Sequence, residues 1–318
     1  RDPDARITDL YGFIQHTWTA SYFLELTAGA RVDQHSYFGM FASPRAGVLL
    51  LPSEQLVVKM LYGRAFRAPT ARELLVDVGT NSDGENRYVA GNPGLQPEVI
   101  DTVESEVTAT PVDHLTLRGA GYFSAVAQEI NPTTGNDPKL GDHFYDNGGT
   151  TNVVGGEAQV AWRPDRLELD ATYSLTQAVD GESQRAQYGV PMHMINAVVG
   201  VEPAEGLRLS LLADHFGTRP RAEWAKNSGR PDGPPVTLLH AAVATDALAN
   251  GRVRADLSIR NLLDTSYSDL VYRNDADAVI VDDNGEPVRD ASGNAIARYP
   301  EDIAAEGRAV TVGVEVAF

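Results

Sequence analysis

Apolar and polar residues alternate strictly along most of the chain. Leu115, Leu117, Gly119, Gly121, Phe123, Ala125 and Ala127 interleave with Thr116, Arg118, Tyr122, Ser124 and Gln128. Successive side chains of an extended strand point to opposite faces, so this segment reads as a strand with one apolar and one polar face. Leu24, Leu26, Ala28, Ala30 and Val32 alternate in the same way with Glu25, Thr27, Arg31 and Asp33. So do Leu207, Leu209, Leu211 and Ala213 with Arg208, Ser210 and Asp214, and Val310, Val312, Val314 and Val316 with Thr311, Gly313 and Glu315. The pattern predicts about 13 strands, many longer than the ~5–6 residues usual in soluble sheets. They start near residues 8, 22, 42, 55, 99, 114, 147, 166, 190, 206, 236, 251 and 307. One short helix is predicted, over residues 68–75.

The connections alternate short and long. Short ones fall near residues 19–21, 52–54, 111–113, 164–165, 203–205 and 248–250. Long ones cover 34–41, 66–98, 131–146, 179–189, 217–235 and 263–306. An up-and-down meander with this rhythm gathers its short turns at one end, as in an antiparallel transmembrane β-barrel. The apolar face then meets lipid, the polar face lines the lumen, and closure satisfies the backbone. The polar face carries Glu25, Arg31, Lys59, Glu104, Glu106, Arg118, Glu168, Asp170, Arg208, Asp214, Arg254, Asp256 and Arg260. Unpaired charges do not pack into a dry interior, so the lumen is expected to be wide, and watery or filled by a polar plug. A soluble β-sandwich explains any single strand equally well. It gives no reason for the alternation of short and long connections.

The 318 residues have a formal charge of −18 and no cysteine. Such acidity speaks against nucleic acid as a partner, because phosphate contacts need clustered Lys and Arg. Thiolate catalysis and Cys-based zinc sites are excluded. No apolar run approaches the ~20 residues of a membrane helix. Residues 1–4 are not a signal peptide, so the chain is either cytoplasmic or lacks the beginning of its gene product. No G-x-S-x-G, H-E-x-x-H or Gly-rich phosphate loop is present. No metal site or cofactor is expected. The segment Asp282-Asp283-Asn284-Gly285-Glu286 lacks the ligand spacing of a calcium loop and reads as a hairpin tip on Asn284-Gly285. Of seven histidines, His143 and His215 each follow an Asp, but strand neighbours point to opposite faces and make poor dyads.

Six segments carry a resemblance. Tyr62-Gly63-Arg64-Ala65-Phe66-Arg67-Ala68-Pro69-Thr70, with Glu73-Leu74, comes first, and Gly91-Asn92-Pro93-Gly94-Leu95-Gln96-Pro97-Glu98 follows. Asn147-Gly148-Gly149 through Gly155-Gly156-Glu157, Val190-Pro191-Met192-His193, Asn261-Leu262-Leu263-Asp264 and the terminal Phe318 complete the set. In this order they resemble the C-terminal part of the barrel of TonB-dependent outer-membrane receptors, over residues 1–318. The resemblance implies structural roles for Arg64, Phe66, Pro69, Asn92, Pro93, Pro97, Glu98, Asn261, Asp264 and Phe318. It also implies a 22-stranded barrel around a plug domain that TonB pulls on. On that plan about 13 strands are present, and the first strands and the plug lie upstream. The first and second segments are also similar to the paired boxes of haem receptors, which carry a His between them. Residues 70–91 hold none.

The expected function is therefore that of a fragment of an active-transport receptor, not an enzyme, in the outer membrane of a Gram-negative bacterium. The cargo class is an iron–siderophore, cobalamin, an oligosaccharide or a similar scarce nutrient. Loop residues Arg67, Arg72, Tyr88, Tyr145, Arg221, Trp224 and Tyr272 are the candidate contacts. Expected partners are lipid and lipopolysaccharide, TonB through the missing part, the nutrient, and the barrel-assembly machinery through the last strand. The alternatives are a passive porin, a barrel enzyme using His143 or His215, and a soluble binding protein. The charge is concentrated in loops: residues 263–306 hold eleven acidic and three basic side chains, whereas 217–235 hold four basic and two acidic.

Overall fold

The structure, a computed structural model, describes residues 6–76, 89–137, 140–181, 189–221, 232–248, 252–269 and 303–316. The strands are β1 (Asp9–Ser21), β2 (Leu24–His35), β3 (Gly39–Ser53), β4 (Leu56–Arg67), β5 (Glu98–Val112) and β6 (Leu115–Ala127). Then come β7 (Ile130–Asp137), β8 (Gly141–Asn147), β9 (Thr150–Trp162), β10 (Leu167–Asp180), β11 (His193–Ala204) and β12 (Leu207–Phe216). The last are β13 (Val236–Leu248), β14 (Val253–Arg260), β15 (Ser268–Asp269), β16 (Ile303–Ala304) and β17 (Ala309–Val316). The helix α1 is Ala71–Leu75.

Thirteen strands make one sheet in the order β1-β2-β3-β4-β5-β6-β9-β10-β11-β12-β13-β14-β17. These are the thirteen strands expected from alternation. Two ribbons stand outside the sheet, β7–β8 and β15–β16, each lying within a connection that the sequence read as loop. The helix is shorter than the expected 68–75. Pro69 forces its predecessor out of the helical region, and Thr70, extended at ψ 161, caps the first turn.

The chain divides into two compact units. In the first, the register carries an apolar row across β1 to β4 through Trp18, Leu26, Val48 and Met60. In the second, another row runs through Leu167, Val201, Leu209, Val243, Leu257 and Val312. Neither row is covered by protein: Val312 is 70% exposed and Trp18 58%. Among the described residues only Leu74, Ala90, Leu95, Ile130, Val236 and Leu238 are buried hydrophobics. A sandwich would bury one face of every strand against a second sheet. A sheet facing lipid leaves its apolar side bare, as here.

Charges on the opposite face pair with one another along the wall. Lys59 Nζ lies 3.0 Å from Glu106 Oε1, Arg118 reaches Glu106 Oε2 at 2.8 Å, and Arg118 Nη1 reaches Glu157 Oε1 at 2.7 Å. The ladder steps from β4 through β5 and β6 to β9. Arg163 forks onto Asp170 in the second unit. The wall thus neutralises much of its own charge by pairing across strands.

Candidate functional site

The connection from β4 to β5 builds a small platform at the long-loop end of the first unit. Thr70 Oγ1 accepts from Glu73 N and Glu73 Oε2 accepts from Thr70 N, a reciprocal capping box that starts α1. Leu74 and Leu95 are fully buried against Ile130, with Tyr37, Leu75 and Tyr145 packed around them. The ribbon β7–β8 is tied on by backbone bonds from Ala90 N to His143 O and from Tyr145 N to Ala90 O. Gly91 has to be glycine. A Cβ there would lie 2.7 Å from Val76 N and 2.9 Å from Arg72 O, where the chain crosses the end of the helix.

Two asparagines close the platform. Asn92 Nδ2 donates to Tyr145 O at 3.0 Å. Asn147 Oδ1 accepts from Gln96 N, and its Nδ2 donates to Gln96 O and Gln128 O. One side chain therefore joins the entry of β5, the exit of β6 and the end of β8.

Arg67, at the end of β4, clamps the platform to the wall. Its guanidinium forks onto Glu98 at 2.5 and 2.8 Å and onto Glu73 at 3.0 and 3.2 Å. Glu98 Oε1 also accepts from Ile130 N. The Arg67 fork holds Glu98 below the ordinary carboxylate range, against partial burial and with help from Ile130 N. Partial burial works against the charge of Glu73, yet Arg67 and the Thr70 bonds hold it below its ordinary value too. Carboxylates with lowered folded values contribute stability above their unfolded values and lose it as pH falls through the folded ones. Amide protection in residues 71–76 and 89–97, corrected for intrinsic exchange, should stay constant from pH 8 to about 5 and fall below about pH 4. Hydrogen exchange on the whole protein measures this.

Beside the platform lies an aromatic group that sequence reasoning missed. His35 stacks on Phe38 at 4.1 Å between ring centroids, and Phe66 contacts both Phe38 and Phe41. Arg31 sits over the Tyr11 ring at 3.8 Å and binds the fully buried Asp33 through Nε and Nη2. A signal was present for this pair: Arg31 and Asp33 are two apart on a strand and so share a face.

Three of the expected contact residues, Arg67, Arg72 and Tyr145, belong to this platform in the first unit. Arg67 has its guanidinium committed to two carboxylates. Arg72 is exposed on α1, and Tyr145 is half-buried in the platform. In the second unit Arg221 is buried, and its main-chain N donates to Asp232 Oδ1. Its neighbour Arg219 donates to Ser268 O at 3.0 Å. Tyr88, Trp224, Tyr272, Phe318 and the Asn284-Gly285 tip lie outside the described residues.

Of the motif residues, Arg64 pairs bidentately with Asp101, which also accepts from Tyr62 Oη. The register puts all three on the apolar face, near its long-loop end. Asn92 and Glu98 belong to the platform, with Pro93 and Pro97 flanking Leu95; Pro69 precedes the cap. Asn261 and Asp264 have positive φ, 49° and 56°, where β14 gives way to the longest connection. The described residues hold no group of three or more His, Cys, Asp or Glu placed to bind a metal. His215 Nδ1 pairs with Thr237 Oγ1, and the main-chain carbonyl of His143 accepts from Ala90 N.

No curated protein sequence matches the chain. Solved structures do. The ferric enterobactin receptor of Pseudomonas aeruginosa superposes with a TM-score of 0.72 at 16% identity, over 98% of this chain and 45% of that one. The siderophore receptor PirA of Acinetobacter baumannii gives 0.73 at 15%, over 98% and 46%. The FrpB iron transporter of Neisseria meningitidis gives 0.68 at 14%, over 98% and 45%. The chain therefore spans less than half the length of these relatives. The family model described as TonB dependent receptor-like, beta-barrel matches residues 1–262, which hold β1 to β14, the platform and Asn261. With bare apolar rows, charge-paired polar rows and that match, the chain belongs to the family of TonB-dependent receptor β-barrels.

Proposed function

We propose that this chain is part of an outer-membrane receptor that takes up a scarce nutrient complex at its long-loop end and imports it with TonB-supplied energy. The family match over residues 1–262 carries the reading. The rest of a 22-stranded barrel, and a plug that contacts TonB, belong on this reading to the same longer protein. Lipopolysaccharide surrounds the long-loop end, and the assembly machinery reads the last strand. The platform gives the outer loops a rigid base, and rigid bases with variable loops are how such scaffolds gain specificity. Arg72, Tyr145, Tyr88, Trp224 and Tyr272 are the proposed contacts, whereas Arg67 acts as the brace. The cargo class proposed first is a ferric siderophore, the ligand class named for two of the structural relatives.

Two measurements on the complete protein test this. In planar bilayers a plugged receptor should show no steady ion conductance, whereas a porin would conduct. In tryptophan-fluorescence titrations, one of ferric enterobactin, cobalamin or a maltooligosaccharide should saturate the protein. Steady conductance with no saturable binding would replace the receptor reading with the porin one.

A further inference from the structure

The two described ends of the longest connection, residues 261–269 and 303–308, form a clipped stalk in the second unit. Asn261 is buried, and its side chain forms a closed ring with Thr265: Oδ1 accepts from Thr265 N at 2.8 Å and Nδ2 donates to Thr265 O at 3.0 Å. On the returning side Arg308 N donates to Asp264 Oδ1, Glu306 pairs with Arg260, and β15 pairs with β16. Arg219 joins the stalk to the preceding loop through Ser268 O.

The first residue of the stalk hangs on a histidine. Asn261 N donates to His240 Nδ1 at 3.2 Å. That nitrogen accepts only when it carries no proton, so the neutral ring must hold its proton on Nε2. Nε2 is buried without a hydrogen-bond partner of its own, yet it lies 3.0 Å from Asp214 Oδ2. A metal does not fit here, because Nε2 already carries the ring proton. The two nitrogens therefore favour opposite states. The Nδ1 bond to Asn261 requires the neutral ring, whereas Asp214 attracts the cation.

The other groups around the ring leave this balance intact. From β12, Asp214 is itself held by Asn196 Nδ2 of β11, and Arg208 lies lower on the same face. From β14, Arg260 shares the face of His240 by register, but Glu306 engages its guanidinium; Asp256 lies further down. From the stalk, Asp264 is taken by Arg308 N. Within β13, Asp246 is six residues away, and His215 of β12 lies on the opposite face.

We propose that His240 is a proton-controlled latch on this stalk. The neutral ring holds the Asn261 amide and keeps the base of the 261–308 connection closed. The protonated ring turns Nδ1 from an acceptor into a donor facing another donor, and Asp214 holds the cation while the stalk lets go. Imidazole is the side chain whose charge changes in the mildly acidic range, so the latch responds to the pH outside a cell.

Hydrogen exchange on the complete protein in detergent tests the latch in peptides covering residues 258–269 and 303–308. Between pH 7.5 and 5.5, after correction for intrinsic rates, protection there should fall about tenfold, the size of one lost hydrogen bond. Residues 71–76 and 89–97 should not change over that range. In His240→Gln, a side chain that accepts without titrating, stalk protection should become independent of pH. His240→Phe should leave the stalk open at both pH values. Unchanged protection in the wild type, or the same fall in His240→Gln, would overturn the latch.

Discussion

Leu95→Ala is expected to open the platform while leaving the strands of the sheet in place. Leu95 is 1% exposed and meets Leu74 and Ile130 in a core of three buried side chains. Removing a buried leucine costs about 2–5 kcal/mol. Among the described residues only the partly buried Tyr37, Leu75 and Tyr145 pack against this core to redistribute that loss, and a surface subdomain opens well below the global unfolding free energy. Amide protection should collapse together in residues 71–76, 89–97 and 140–147, because they share this core and the bonds through Ala90. Protection in β2 and β3 should be unchanged. Nutrient binding should weaken, since the loops lose their base. Protection unaltered in those three segments would show that the platform is held by something else.

Asn147→Ala has the second-largest expected effect. One half-buried side chain makes three bonds to main-chain atoms, two with Gln96 and one with Gln128. At about 1 kcal/mol for each bond, the loss is about 3 kcal/mol, and more if a carbonyl is left buried without a partner. Gln128 has φ 59°, a conformation a non-glycine residue keeps only when something holds it. Asn147→Asp keeps the acceptor for Gln96 N and loses both donors. It should therefore fall between the wild type and the alanine variant in limited proteolysis of the 128–149 region. Equal cleavage of all three proteins would contradict the bridging role.

The fold was legible because one rule, alternation, governs most strands of the large sheet, although β3 interrupts it at residues 48–51. Leu207, Leu209 and Leu211 can only share a face if the chain is extended, and the register confirms that they do. The ribbon β7–β8 was not legible, because residues 130–147 carry Pro132, Gly135 and Gly141 and show no sustained alternation. Their pairing depends on docking to Ala90, some fifty residues away in sequence. The capping box was legible in principle: Thr70 and Glu73 stand at the required spacing, just inside Pro69. Wall charges such as Lys59, Glu106, Arg118 and Glu157 could be assigned to the polar face from the sequence. Their partners could not, since pairing across β4, β5, β6 and β9 requires the register. The His240–Asn261 bond is of the same kind: it joins the side chain of one strand to the main chain at the end of the next.

Glycine supplied a more uneven signal. Gly91 sits where the chain crosses α1, and Gly156 has Ala120 O at 3.0 Å from where its Cβ would stand. Both are close approaches that only a structure reveals. Gly63 and Gly148 have open space around them, so their motif membership has no steric reason.

Energy-dependent import is the claim on which the functional account turns, and iron uptake in whole cells tests it most directly. The complete gene would be expressed in a Gram-negative strain lacking its own siderophore receptors, with and without a working TonB. Cells would be given ferric enterobactin, radiolabelled cobalamin and labelled maltooligosaccharide in turn. The account expects one of these to accumulate inside cells that have TonB, and only to bind at the surface of cells that lack it. Equal accumulation in both strains would contradict it, and would make the barrel a passive pore.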